Sequence, residues 1–214
     1  MVKILVVKRE KLFKDKYFEG FLHVNDIDYI DTILKNYSYE ERNEALENNP
    51  EFVQIIPYIW IINPVLKKAF IYQRGLGKGY KEKRHINRYS GGVGGHIDFI
   101  ENNENPIISS SERELREELT MKNYPKIDFI GYINDDSDIY NKVHFAIVGI
   151  AETKEKISPT KDGIKSGDFY SIDKIENLFS GENNEVEKWT QLSWPYIKNY
   201  LVGKYRQFCL EVKQ

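Results

Sequence analysis

The chain has 214 residues, 41% of them hydrophobic, a formal net charge of −2 and one cysteine, Cys209. That length buries a core in one domain, or in one domain with an extension. The small net charge argues against a global field recruiting nucleic acid or membrane. A lone cysteine excludes an internal disulfide and suits a reducing compartment. No apolar run approaches the ~20 residues of a membrane span, and MVKILVVKREKLF lacks a signal-peptide core. A cytoplasmic protein is expected.

In chain order, Val2 to Val7 reads as a β-branched strand. From Asp26 the pattern is helical, with Ile27, Ile30, Ile33 and Leu34 at three- and four-residue spacing behind Asn25 or Asp26 as cap. Ser38 to Glu41 has the form of a capping box and predicts a further helix that stops by Pro50. Residues 1–50 therefore read as a strand/helix extension ahead of a catalytic domain, 51–214. The extension's apolar face must pack on that domain or on a second subunit, so a homodimer is expected.

Phe52 to Ile62 is a strong strand interrupted by Pro57, which favours an edge or a bulge. A turn at Asn63-Pro64 leads to a second strand, Lys67 to Gln73, making a hairpin. Gly75 to Tyr80 is glycine-rich but lacks the P-loop spacing. Between Lys67 and Arg88 lie eight basic residues against Glu82 alone, including Lys78, Lys81, Lys83 and Arg84. Six glutamates then fall between Glu101 and Glu118. A basic segment leading into an acidic one suits an anionic substrate bridged by a cation. Arg74 and Arg88 are the candidate phosphate contacts, and His96 a candidate hydrogen-bonding partner for substrate.

Beyond Pro125 the sequence predicts strands at Ile127 to Ile133 and Val143 to Ala151, joined by an acidic loop, Asn134 to Asp138, without calcium-loop spacing. A polar, lysine-rich surface loop from Glu152 to Gly167 comes next. After it come a short strand at Phe169 to Ser171 and a helix from Ile172 to Phe179 capped by Ser171. A terminal helix from Glu185 to Tyr200 would line one face with Trp189, Leu192, Tyr196 and Tyr200. Pro195 must kink that helix, or open a new one with Ser193 as cap.

The chemistry concentrates between Gly91 and Met121. Four glycines in five residues open this stretch, and Arg113-Glu114-Leu115-Arg116-Glu117-Glu118 closes it with helical spacing. Glu114, Glu117 and Glu118 stand at i, i+3 and i+4, so their carboxylates share one face. Leu115 and Leu119, with Ile108 and Ser111, form an apolar stripe beside it. Like charges at this spacing cost a few tenths of a kcal/mol, which a divalent cation with hard oxygen ligands would offset.

These residues resemble the signature of the Nudix hydrolases, G-x5-E-x7-R-E-U-x-E-E-x-G-U with U aliphatic. Gly95 to Glu101 matches the first half, and Arg113 to Glu118 matches R-E-U-x-E-E residue by residue. Eleven residues, Asn102 to Glu112, separate the halves where the family has seven, and Thr120 stands at the last glycine. The helix C-terminus must therefore be capped in another way. The resemblance implies an α/β (α+β) fold, an α/β/α sandwich around a mixed sheet. It implies hydrolysis of a pyrophosphate bond in a diphosphate or nucleotide substrate, with Mg2+ or Mn2+ as cofactor. Glu114, Glu117 and Glu118 are the implied metal ligands, one of them serving as base, and the carbonyl of Gly94 or Gly95 is a further ligand. Arg113 orients the glutamates, and Glu101 steadies the loop or helix. Two rivals share the fold: a catalytically silent nucleotide sensor or scaffold, and an isopentenyl-diphosphate isomerase, whose chemistry needs a cysteine near the site. A nucleic-acid-binding role has only the Lys67 to Arg88 patch and its interleaved tyrosines behind it.

Overall fold

A computed structural model describes residues 2–75, 86–100, 105–160, 164–181 and 184–203. Glu101, Asn102, Asn103, Lys78, Lys81, Lys83, Arg84, most of the Gly75 to Tyr80 loop and Cys209 lie outside them. In chain order the elements are β1 (Lys3–Lys8), α1 (Arg9–Leu12), β2 (Gly20–His23), α2 (Tyr29–Asn36), β3 (Tyr37–Glu41) and α3 (Glu44–Glu47). Next come β4 (Phe52–Asn63), β5 (Lys68–Arg74), β6 (Tyr89–Ser90), β7 (Gly92–Val93), α4 (Pro106–Glu118) and β8 (Leu119–Thr120). The last group is β9 (Ile127–Asn134), α5 (Ile139–Lys142), β10 (His144–Glu152), β11 (Ser158–Pro159), β12 (Ile164–Ser171), α6 (Ile172–Ser180) and α7 (Lys188–Leu201). The architecture is α+β with a mixed sheet, as expected.

The chain forms two compact units, and β4, β9, β10 and α4 each contribute to both. The first comprises Met1–Tyr58, Gly94–Glu112 and Phe129–Gly149. Here β1 pairs antiparallel with β3 on one side, Leu5 opposite Tyr39, and with the start of β4 on the other, Val6 opposite Gln54. The N–H of Leu5 donates to the Ile97 carbonyl (2.8 Å) and that of Phe99 to Lys3 (2.9 Å), so the segment after the glycines is also fastened to β1. β2 pairs antiparallel with β9. Leu5, Val7, Val53, Ile55, Ile97 and Ile107 share a buried cluster with the aromatics Phe18, Tyr29, Tyr132 and Phe145. Burial pushes the Tyr29 phenol up to about 12.

Two expectations for this unit fail. Ser38 to Glu41 is strand, not helix: a capping-box pattern is a local signal, and pairing along β1 overrides it. The short helix comes later, capped by Asn43, whose side chain accepts the Leu46 N–H (2.9 Å). The cap of α2 is Asp28, two or three residues beyond the expected pair, accepting from Asp31 N–H (2.9 Å).

The second unit comprises Ile59–Val93, Arg113–Asp128 and Ile150–Gln214. The hairpin of β4 and β5 is present, with Asn63 opposite Lys68 and Lys67 in the left-handed region (φ 51°). β12 covers β5 along its length, from Ser171↔Lys68 to Ile164↔Arg74, so strand begins at Ile164, inside the end of the expected surface loop. Trp60 is fully buried and its indole N–H donates to Ser193 Oγ (3.0 Å). α7 continues through Pro195, and Ser193 does not cap a new helix; its hydroxyl donates back to the Trp189 carbonyl (2.6 Å). The buried face of α7 is Thr190, Ser193, Trp194, Ile197, Tyr200 and Leu201, rather than Trp189, Leu192 and Tyr196. Trp194, tilted against Trp60 with centroids 5.9 Å apart, lies on that buried face.

Pro57 neither breaks β4 nor marks an edge. The β1 pairing ends at Gln54 and the β7 pairing starts at Ile59. The proline, with no N–H to donate, falls where one neighbour has stopped and the next has not begun.

Candidate functional site

The motif helix α4 starts on Asn105. Its Oδ1 accepts the N–H groups of Ile107 and Ile108 (3.2 Å each), and Pro106 takes the first helical position, where a missing N–H costs nothing. Ile107 is fully buried, whereas Ile108 is 46% exposed. The inward stripe is thus Ile107, Ser111 and Leu115 at i, i+4 and i+8, one position out of phase with the expected one at its start. Ser110 and Glu114 accompany it, and both are buried.

In the second unit, the final turn and a half of α4 carries the charged motif. The three glutamates are graded by burial: Glu114 inward, Glu118 half-buried, Glu117 exposed. Arg113 Nη1 lies 2.8 Å from Glu114 Oε1 and 3.2 Å from Glu117 Oε1, so its guanidinium bridges two of the carboxylates. Arg116 stacks on Tyr124, 4.7 Å from the ring centroid. The helix stops at Glu118, and Leu119-Thr120 is β8, paired antiparallel with β11. Thr160 covers the exposed helix end: its N–H donates to the Glu118 carbonyl (2.9 Å) and its hydroxyl to that of Glu117 (2.6 Å). This is the other cap that Thr120 in place of glycine demanded.

Arg74 and Arg88 are engaged by carboxylates in the same unit. The stretch before α7 lies along β6, with Tyr89 N–H donating to Glu185 O (2.8 Å) and Glu187 N–H to Tyr89 O (3.0 Å). That places Glu187 against the guanidinium of Arg74, where both side chains are largely buried, and Glu185 3.0 Å from Arg88 in solvent. Gly91 lies beneath Trp60, whose ring a Cβ would approach to 2.1 Å.

Gly94, Gly95 and His96 belong to the first unit. A Cβ on Gly94 would sit 1.8 Å from the Pro57 carbonyl oxygen, so the backbones meet as only glycine allows. His96 Nε2 is 2.6 Å from Gln54 Oε1, which assigns the ring proton to Nε2. The Gln54 amide in turn donates to Glu47 Oε2 (3.2 Å), and Arg42 pairs with Glu47 (2.8 Å). Burial, then the Arg42 charge, then the neighbouring His144 ring hold the His96 pKa well below 6.5. A neutral imidazole can accept or donate one proton but carries no charge toward an anion. Gln54 and Glu47 were not foreseen; the one available signal was a lone glutamine within FVQIIPYIW.

The donor chemistry of Glu114, Glu117 and Glu118 suits a hard divalent cation: three carboxylate groups lie on one helix flank, and a guanidinium already balances two of them. As the side chains stand, no group of three or more His, Cys, Asp or Glu converges closely enough to hold an ion among the described residues.

No family model matches the chain. Protein YmaB of Bacillus subtilis (strain 168) is 29% identical over 199 residues, 88% of this chain and 93% of that protein. The crystal structure of Tm1382, itself a proposed Nudix hydrolase, superimposes with a TM-score of 0.67 at 26% identity, covering 92% of this chain and 99% of the other. DR0079 from Deinococcus radiodurans shares the fold at a TM-score of 0.53 and 14% identity, over 74% and 91% of the two chains. The chain thus has a Nudix-like fold, and its motif helix carries the R-E-L-R-E-E turn of the Nudix signature.

Proposed function

We propose that this chain is a divalent-cation-dependent Nudix hydrolase that cleaves a pyrophosphate bond in a nucleoside diphosphate-linked or related diphosphate substrate, by water attack at phosphorus. The likeness to Nudix hydrolases supports a hydrolase; the bond, the cation and the substrate class are part of this proposal. The observation that carries the reading is the bridged carboxylate turn from Arg113 to Glu118.

A diphosphate concentrates negative charge, so its hydrolysis needs charge neutralisation and an aligned water more than covalent help from protein. A bound Mg2+ or Mn2+ would polarise a phosphoryl oxygen and acidify the attacking water. Glu114, Glu117 and Glu118 would hold that ion. Arg113 keeps Glu114 and Glu117 from splaying apart, and one glutamate takes the proton from water. Arg74, Arg88 and His96 are retained as substrate contacts in this reading, and Gly94 and Glu101 as its structural supports. Arg74 and Arg88 would then reach phosphate by sharing their guanidinium groups with Glu187 and Glu185.

Replacing Glu118 by Gln removes the charge while nearly keeping the shape. In a magnesium- and manganese-supplemented screen of nucleoside triphosphates, nucleotide sugars, dinucleoside polyphosphates and capped RNA, E118Q should lose roughly 10²-fold or more of the turnover. Near-normal turnover would refute the assignment.

The same proposal includes a homodimer of a cytoplasmic protein built from an N-terminal segment, 1–50, and a Nudix domain, 51–214. It is supported by exposed Tyr37 on β3 and by Phe99, also exposed, linked through ring contacts to Tyr39. Among the described residues no helix is long and apolar enough to cross a membrane. Light scattering that finds a monomer at micromolar concentration would refute the dimer.

A further inference from the structure

We infer that Thr160 is a positioning residue for the carboxylates of α4, an inference that rests on the metal-binding reading above. A helix C-terminus leaves its last carbonyls without intrahelical partners, and a following glycine in the left-handed conformation is the common way to satisfy them. Here the chain leaves Glu118 directly into extended β8, so that route is closed. Thr160 donates to two of these carbonyls, its hydroxyl to Glu117 O (2.6 Å) and its N–H to Glu118 O (2.9 Å). These are the backbones of two of the three glutamates.

The cap is itself held in place. β11 pairs with β8, Pro159 opposite Leu119 and Ser158 opposite Thr120, which delivers Thr160 to the helix end. Five residues earlier, Glu155 accepts the N–H groups of Lys122 (2.9 Å) and Asn123 (3.1 Å) and the Asn123 side-chain amide (2.6 Å). Those bonds hold the Glu155 carboxyl below its usual range, Asn123 contributing most. Tyr124 closes the corner by donating to the Leu119 carbonyl (2.9 Å). The last turn of the motif helix is therefore set from a segment 43 positions away in sequence. Removing the hydroxyl leaves the Glu117 carbonyl without this donor and lets the turn fray, carrying Glu117 and Glu118 out of register. A metal site tolerates only about 0.5 Å of such misplacement.

The test is manganese binding by the full chain, read from the electron paramagnetic resonance of the free ion, with no substrate present. T160V and T160A remove the hydroxyl; T160S keeps it. Loss of a group that orients metal ligands typically weakens the metal by about tenfold or more. T160V and T160A should show that weakening, T160S should bind like the parent chain, and the thermal midpoints of all four should differ little because Thr160 is exposed. T160V and T160A binding manganese as tightly as the parent would overturn the inference. So would T160S falling with them. A parent chain that takes up no manganese, or E118Q that binds it undiminished, would instead overturn the metal-binding reading, and the role of Thr160 with it.

Discussion

His96 ties the glycine corner to a testable pH dependence. Its Nε2–H is committed to Gln54 (2.6 Å), and its charged form is disfavoured by burial first, by Arg42 second and by His144 third. The folded pKa therefore lies well below the unfolded value of 6.5. Between those two values the unfolded chain binds one proton more than the folded chain. Stability must rise with pH in that interval and be lost as pH falls below 6.5. One proton is worth about 1.4 kcal/mol per pH unit, so moving from pH 7 to pH 5 should remove stability through this side chain, at most about 2 kcal/mol. His96→Gln keeps an amide able to donate to Gln54 and cannot titrate. Urea unfolding of both chains at pH 7 and pH 5 isolates the term, because the other titrating groups cancel in the difference. The stability of the parent relative to the variant should fall at the lower pH, by at most about 2 kcal/mol. An unchanged gap would show that His96 titrates freely, and that the Gln54 bond and its burial do not hold it neutral.

Gly94→Ala puts a Cβ 1.8 Å from the Pro57 carbonyl oxygen, a backbone atom that cannot swing away; a loss of roughly 1–3 kcal/mol in urea unfolding is expected, and parent-like stability would refute the close approach. Leu115→Ala empties a site that is 1% exposed on the motif helix and should cost roughly 2–5 kcal/mol by the same measurement; a cost under 1 kcal/mol would mean the helix is not anchored there. Arg74→Met removes the guanidinium paired with Glu187, whose side chain is only 7% exposed, and should cost roughly 3–5 kcal/mol. Arg74→Lys should recover part of that, and a neutral outcome for both would free Arg74 for a purely substrate-binding role.

Where burial and periodicity coincide over many residues, the fold was legible. β4, β5 and β10 are largely apolar runs, and α4 carries its charged motif at unmistakable helical spacing. Errors fell where a local signal competed with a distant partner. Ser38 to Glu41 satisfies every rule for a helix start, yet those rules concern only its own hydrogen bonds, and β1 offered a full antiparallel ladder instead. Ile108 looks as apolar as Ile107, and only the start at Pro106 decides which one turns inward. β8 and β11 are two residues each, too short for any alternation to register.

The same contrast separates the parts of the candidate site. Arg113 pairing with Glu117 is an i, i+4 contact within one helical turn, so spacing anticipates it; its reach to the adjacent Glu114 is not given by spacing. The cap on that turn is another matter. Thr120 in a glycine position announces that some other group must take the last carbonyls, but not which one. The answer sits in a lysine-rich stretch that has no pattern of its own and acquires structure only by pairing with β8. A missing local device is thus informative in a specific way: it states a hydrogen-bond debt that the fold must discharge. Unsatisfied helix ends are therefore a place where sequence reasoning can demand a distant partner before the structure names it.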